Sequence, residues 1–206
     1  GVNLPSDSIV IVYRSDSSGT TFAFTDYLAK ASPTFKAKVV ASASKKPDWT
    51  KSSAQQLSGN GNDGVASTVK NTPGSIGYVE LAYVQTLNLK AVAMKNSAGE
   101  FLAPTTDGAS KAAASFATSL PAPDGDWSDV SIVDSRATGA YPISSFSYLL
   151  VYKTGSGATA DQIQAFKAWA YWAIHDGQSY AETLGYAPLP TEVVAIGKTA
   201  LTMVAS

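Results

Sequence analysis

Cysteine is absent from the 206 residues, and histidine occurs once, at His175. The first absence removes disulfides, thiolate zinc sites and cysteine nucleophiles together. A single histidine with no nucleophile-elbow motif makes no catalytic triad, and its place at the polar end of a helical pattern beside Gly177 fits a partner for the helix dipole. An excess of either charge is also missing. Fifteen Lys and Arg against 16 Asp and Glu leave a net charge of -1, which gives no general attraction to nucleic acid or to an acidic membrane. No apolar run approaches the roughly 20 residues that span a bilayer. Gly1-Val2-Asn3 reads neither as a signal peptide nor as a natural start, so the chain is expected to be processed or cut. What is present is a 45% hydrophobic sequence, long enough for one large core or two modest ones.

The most informative stretch is Tyr13-Arg14-Ser15-Asp16-Ser17-Ser18-Gly19-Thr20-Thr21-Phe22. It follows the apolar run Ile9-Val10-Ile11-Val12 and leads into Phe24, Tyr27, Leu28 and Ala31 at helical spacing, so the order is strand, short turn, helix. A helix starting at Ser18-Gly19-Thr20 has unpaired backbone N–H groups in its first turn, and the aligned peptide dipoles make that end attractive to an anion. Gly19 lets a ligand approach the backbone closely, and hydroxyls of Ser18, Thr20 and Thr21 add short donors. Arg14 offers a planar fork suited to two oxygens of one oxyanion. The same residues also suit a plain helix cap with a surface Arg14–Asp16 pair, and taken alone the stretch leaves both readings open.

Gly59-Asn60-Gly61-Asn62-Asp63-Gly64 matches the dinucleotide fingerprint G-x-G-x-x-G letter for letter. That fingerprint needs a hydrophobic strand before it, and Lys51 to Ser58 does not read as a buried strand, so dinucleotide binding is not expected. The segment reads instead as a second loop-to-helix entry, with the helix over Val65 to Lys70 and an end at Pro73-Gly74. Asp124-Gly125-Asp126-Trp127-Ser128-Asp129 resembles the start of a calcium loop, but Asp129 stands where Gly is needed and Ser135 where Glu is needed, so a solvated acidic turn is expected. Ser42-Ala43-Ser44-Lys45 and Ser67-Thr68-Val69-Lys70 match Ser-x-x-Lys without the partner motifs of the penicillin-recognising enzymes. Neither enzymatic activity nor a cofactor or metal is expected.

Elsewhere the pattern alternates strands with helices, which favours an α/β class. Strands are expected over Ser75 to Glu80, Ala91 to Met94 and Tyr141 to Tyr152. Phe101 to Pro104 pairs back across the Asn96–Gly99 turn, and Gly155 to Ala158 makes a hinge-like turn. Helices are expected from the first turn to before Pro33, over Leu81 to Leu87, over Thr106 to Leu120, over Ala160 to His175 with Thr159 as N-cap, over Gln178 to Leu184, and from Thr191 to about Val204. Trp49 reads as a packing anchor, and Tyr78, Tyr83 and Trp127 as core residues that could also line a site.

Arg-x-Asp-x-Ser-Gly-Thr followed by an aromatic, then Gly-Asn-Asp-Gly, then Pro-Gly-Ser-Ile-Gly-Tyr-Val-Glu, resembles the periplasmic phosphate-binding proteins of phosphate-specific ABC transporters, and the similarity runs on through Tyr141-Pro142-Ile143. The resemblance implies a two-lobed type II periplasmic binding protein, α/β in class, with the ligand in the cleft between lobes. Residues 1–140 would be the central lobe, and 141–206 the returning part of the other, whose N-terminal part has no counterpart here. The implied function is reversible capture of inorganic phosphate for a membrane permease, by an exported periplasmic or extracellular protein. Arg14, Asp16, Ser18, Gly19 and Thr20 would bind phosphate, with Asn62 and Asp63 in a supporting loop; Ser18 and Thr20 would donate through hydroxyl and backbone N–H. Asp16 has two possible roles, holding the Arg14 fork or accepting the hydrogen of a protonated phosphate. The alternatives are a binder of another oxyanion and a scaffold or adhesion protein with the same fold and no ligand. A sheet lacking its first strands would leave unpaired edges and a bare apolar face under Ala160 to His175, so a separate chain carrying the missing segment, another packing of residues 141–206, or their pairing with a second copy is expected.

Overall fold

The computed structural model describes residues 6–154 and 157–205, so Gly155-Ser156 of the expected hinge-like turn lies outside the described residues. The chain divides into two compact units, one ending at Val92 and the other beginning at Ala93.

In the first unit, β1 (Val10–Arg14) lies between β2 (Gln55–Gly59) and β3 (Ser75–Gly77), parallel to both. Ile11 faces Gln56 on one side and Ile76 on the other. Val10 and Val12 are buried, Val12 completely. Parallel neighbours require crossovers, and helices supply them. The first is α1 (Gly19–Ala31), followed by α2 (Pro33–Lys38). The first helix ends before Pro33, as expected, and Pro33 itself opens the next one. It sits at the first position of α2, where a missing N–H costs nothing, with the Ser32 side chain as cap. The second crossover is α3 (Gly61–Asn71), and α4 (Leu81–Leu87) follows β3.

Two expectations fail in this unit. The polar segment before Gly59 does form a strand, β2. Among the described residues it is an edge strand with β1 as its one neighbour, so hydrogen bonding to β1 holds it while most of its side chains face water, and no apolar pattern is needed. The helix behind it starts at Gly61 rather than Val65, which puts Asn62 and Asp63 in its first turn. The glycines are explained by packing: a Cβ on Gly59 would lie 2.3 Å from the backbone of Gly64 and Val65, and Gly61 has φ +70°. β2 and α3 therefore touch backbone to backbone.

The second unit opens with the antiparallel pair β4 (Met94–Lys95) and β5 (Phe101–Leu102), followed by α5 (Thr106–Phe116). Buried Asn96 donates to the Glu100 carboxylate and to the Ala140 carbonyl, and Gly139 N–H also donates to Glu100, so the hairpin turn is tied to residues 139–140. The unit closes with α6 (Ala160–Ile174), which has a Thr159/Gln162 capping box, and α7 (Thr191–Thr202). His175 caps α6, with Nδ1 2.8 Å from Asp176 Oδ1 and its ring stacked on Tyr171.

The strand expected over Tyr141 to Tyr152 does not form, since this stretch has no regular secondary structure. A strand exists only through a partner's hydrogen bonds, and no neighbouring strand lies alongside among the described residues. Leu150 is 92% exposed and Tyr152 75%, and Trp169, Tyr171 and Trp172 of α6 are also exposed. Among the described residues no helix is long and apolar enough to cross a membrane.

Candidate functional site

Two helix N-termini open at the carboxyl end of the three-stranded parallel sheet, those of α1 after β1 and of α3 after β2. In open α/β sheets this end is where ligands bind. Ser18 caps α1: its hydroxyl oxygen accepts the Thr21 N–H at 3.1 Å, and the residue is 3% exposed. The backbone N–H of Ser18 donates to the Lys45 carbonyl at 3.0 Å. Of the two donors expected of Ser18, only the hydroxyl therefore remains, because an oxygen that accepts a bond keeps its own hydrogen. The N–H groups of Gly19 and Thr20 have no partner among the described residues. A Cβ on Gly19 would meet nothing within 4 Å, and its φ is not positive, so neither packing nor backbone conformation demands glycine there.

The Arg14 side chain, 11% exposed, is held on three sides. Nε donates to Asp16 Oδ1 at 2.8 Å, Nη2 to Asp16 Oδ2 at 2.6 Å, and Nη1 to Asn62 Oδ1 at 3.0 Å. Gly61 N–H also donates to Asp16 Oδ1, at 3.2 Å. Three of the five guanidinium N–H donors are thereby fixed and two remain. A fork locked this way presents its last two donors at little entropic cost. Asp63 is the acidic residue of the α3 first turn. Thus the structure brings Arg14, Asp16 and Asn62 into direct contact, and places Ser18, Gly19 and Thr20 at the adjacent helix start.

The dinucleotide fingerprint does follow a strand, β2, though a largely exposed one. The Gly61 N–H at the α3 N-terminus, where a pyrophosphate would bind, is bound by Asp16, and Asn62 is bound to Arg14. The start of α3 serves the residues after β1 instead.

Asp16 is held well below the usual carboxylate range, first by the Arg14 hydrogen bonds and then by the Gly61 N–H, and Arg14 is correspondingly pushed up. A carboxylate depressed in the fold adds stability above its unfolded pKa of about 3.9, and that stability is lost as pH falls through the folded value. Asp16→Asn should therefore melt below the unchanged protein by a constant margin between pH 5 and 7, and the margin should shrink below about pH 4. Melting curves of the two proteins across pH 2 to 7 check this. A margin that does not change with pH would show that the carboxylate is not held.

The aromatic anchor, Trp49, packs against Tyr13, Phe35 and Tyr78, with ring centroids at 5.7, 6.4 and 6.2 Å. Sequence reasoning missed that the Tyr78 hydroxyl joins the site: it accepts the Arg14 backbone N–H at 3.2 Å and lies 2.8 Å from Thr21 Oγ1. No local signal could show it, since the partners are 64 and 57 residues away in sequence. Among the described residues no group of His, Asp and Glu could hold a metal ion.

A family profile described as a PBP superfamily domain matches residues 3–176. The chain belongs to the PBP superfamily. Among curated relatives of this PBP chain, the phosphate-binding protein PstS of Methanocaldococcus jannaschii is 35% identical over 98% of this chain and 53% of its own length. The phosphate-binding protein PstS of Xylella fastidiosa is 39% identical over 94% of this chain and 50% of its own. The PBP chain thus spans about half the length of the curated relatives it matches. A solved periplasmic phosphate-binding protein, described as high-affinity and bound with phosphate, superposes with TM-score 0.61 at 21% identity, over 94% of this chain and 57% of that one. At that identity the likeness concerns the α/β fold.

Proposed function

We propose that this PBP chain reversibly captures inorganic phosphate on the loop from Arg14 to Thr20 and serves its delivery to the membrane permease of an ABC transporter, in the periplasm or outside the cell. One observation carries the reading: a nearly buried Arg14, locked by Asp16 and Asn62 with two donors to spare, stands five and six residues before Gly19 and Thr20, whose N–H groups have no partner among the described residues. A charged fork and a helix N-terminus together suit a tetrahedral oxyanion. Ser18 and Thr20 hydroxyls add donors. Asn62 positions Arg14, and Asp63 stands next to it in the first turn of α3. The names of the relatives, all phosphate-binding proteins, support the choice of ligand and a binding rather than enzymatic role. The bidentate Arg14 contact supports the first of the two roles open to Asp16.

Titration of the 206-residue chain with phosphate and separately with sulfate, followed through the backbone amide resonances of Gly19 and Thr20, tests the reading. Phosphate should shift both resonances at lower concentration than sulfate. Equal response to both anions would favour a general oxyanion binder, and no response would favour a scaffold without ligand.

On the same reading, residues 1–140 and 141–206 belong to different lobes. This division rests on the resemblance alone; the compact units within the chain divide between Val92 and Ala93. The second lobe would be completed by a polypeptide segment equivalent to the unmatched half of the relatives. The exposed run Tyr148 to Tyr152 and the exposed aromatics of α6 support that partner, since apolar groups facing water without a cover mark an interaction surface. The chain by itself is expected to bind an exposed-hydrophobe dye and to self-associate on gel filtration. A monomer that leaves the dye dark would overturn the partner proposal.

A further inference from the structure

Tyr78 is a packing residue by its ring and something else by its hydroxyl. The ring stacks on Phe24 of α1, with centroids 4.4 Å apart and planes at 18°, and a phenylalanine could do the same. The hydroxyl stands where the sheet runs out. β3 pairs with β1 only as far as Val12↔Gly77, while β1 continues to Arg14. On the β2 side the ladder is carried past the strand end by Ser15 N–H, which donates to the Gly59 carbonyl. Successive N–H groups of a strand point to opposite sides, so the Arg14 N–H faces the β3 side, where no strand carbonyl remains. The phenolic oxygen of Tyr78 takes that place at 3.2 Å, and the same oxygen bonds Thr21 Oγ1 at 2.8 Å. Thr21 is 1% exposed and lies in the first turn of α1, its own N–H capped by Ser18.

We propose that Tyr78 is a positioning residue for anion binding: its hydroxyl ties the backbone at Arg14, the end of β1, to Thr21, the first turn of α1, and so sets the spacing between the guanidinium and the helix N–H donors. The proposal rests on the phosphate reading and deepens it. The intervening loop, Ser15 to Ser18, is thereby pinned at both ends by one side chain. Oxyanion recognition tolerates little misplacement of its donors, because charge-assisted bonds need short distances and good angles. Burial pushes the Tyr78 hydroxyl up from its ordinary pKa, so it stays a neutral phenol able both to donate and to accept.

The test compares the unchanged chain with Tyr78→Phe, Thr21→Val and Thr21→Ser by amide resonance titration with inorganic phosphate, with melting recorded alongside. Tyr78→Phe and Thr21→Val should each weaken phosphate binding about ten-fold, as expected when one well-placed hydrogen bond is lost. Thr21→Ser, which keeps a hydroxyl at that site, should bind within about two-fold of the unchanged chain. The double variant Tyr78→Phe/Thr21→Val should be no weaker than either single one, because both cut the same link. In Tyr78→Phe the Arg14 amide proton should also exchange faster with solvent. Where Tyr78→Phe does not fold, the contrast between Thr21→Val and Thr21→Ser decides. Tyr78→Phe binding as well as the unchanged chain, or Thr21→Ser as weak as Thr21→Val, overturns the positioning role alone. An unchanged chain that does not respond to phosphate overturns the phosphate reading and this proposal with it.

Discussion

Arg14→Ala should weaken phosphate binding by about a hundred-fold or more. Each hydrogen bond from a charged donor contributes about 1.5 kcal/mol or more, and two guanidinium donors remain for the ligand, so their joint loss is about 3 kcal/mol. At 1.4 kcal/mol per factor of ten this is two orders of magnitude. Asp16 adds to the effect. Once Arg14 is gone, its carboxylate has lost its cation and repels an arriving anion. Arg14→Lys should recover only part of the loss, since an ammonium on a flexible stem cannot bond Asp16 in two places, reach Asn62 and still face the ligand. Asp16 is partly exposed and can be hydrated in the variant, so the fold should survive. The measurement is the same phosphate titration, with melting temperature as the control for folding. An Arg14→Ala chain that binds phosphate within threefold of the unchanged one would remove Arg14 from the site.

Gly59→Ala should destabilise the unit ending at Val92 by about 3 kcal/mol. A methyl there would sit 2.3 Å from the backbone carbon of Gly64 and 2.3 Å from the nitrogen of Val65, and backbone on both sides leaves no flexible side chain to move aside. Overpacking costs up to about 3 kcal/mol when the neighbours are rigid, and a unit of this size loses roughly 4–8 °C of melting temperature per kcal/mol. A fall of more than about 10 °C is the expected readout. Gly19→Ala is the contrast. Its methyl meets nothing in the protein, so melting should move by less than about 3 °C, while phosphate binding should weaken because the methyl stands where the oxyanion approaches the helix N–H groups. The two glycines look alike in the sequence, yet packing requires the first and places no demand on the second. If Gly59→Ala melts with the unchanged chain, β2 and α3 do not pack as described.

The candidate site is largely legible in the sequence because its parts are local. Arg14, Asp16, Ser18, Gly19 and Thr20 lie within seven consecutive residues between an apolar run and a helical pattern, and a strand-turn-helix order puts donors at a helix start whatever surrounds it. Contacts between segments distant in the chain leave no such local signal. That Asn62 holds Arg14, that Gly61 holds Asp16, and that Tyr78 closes the sheet end at Arg14 all depend on β2 and β3 lying on either side of β1.

The sequence by itself determined the α/β alternation, the helix starts marked by Ser18 and Thr159, and the placing of a cationic fork beside a helix start after β1. Each follows from short-range physics: apolar periodicity, capping hydrogen bonds and the charge of one side chain. Only the tertiary structure decided that the polar segment Gln55–Gly59 is a strand while the apolar run Ser147 to Tyr152 is not. A strand is defined by the neighbour that accepts its hydrogen bonds. β1 provides that neighbour for the first, and no described strand provides one for the second.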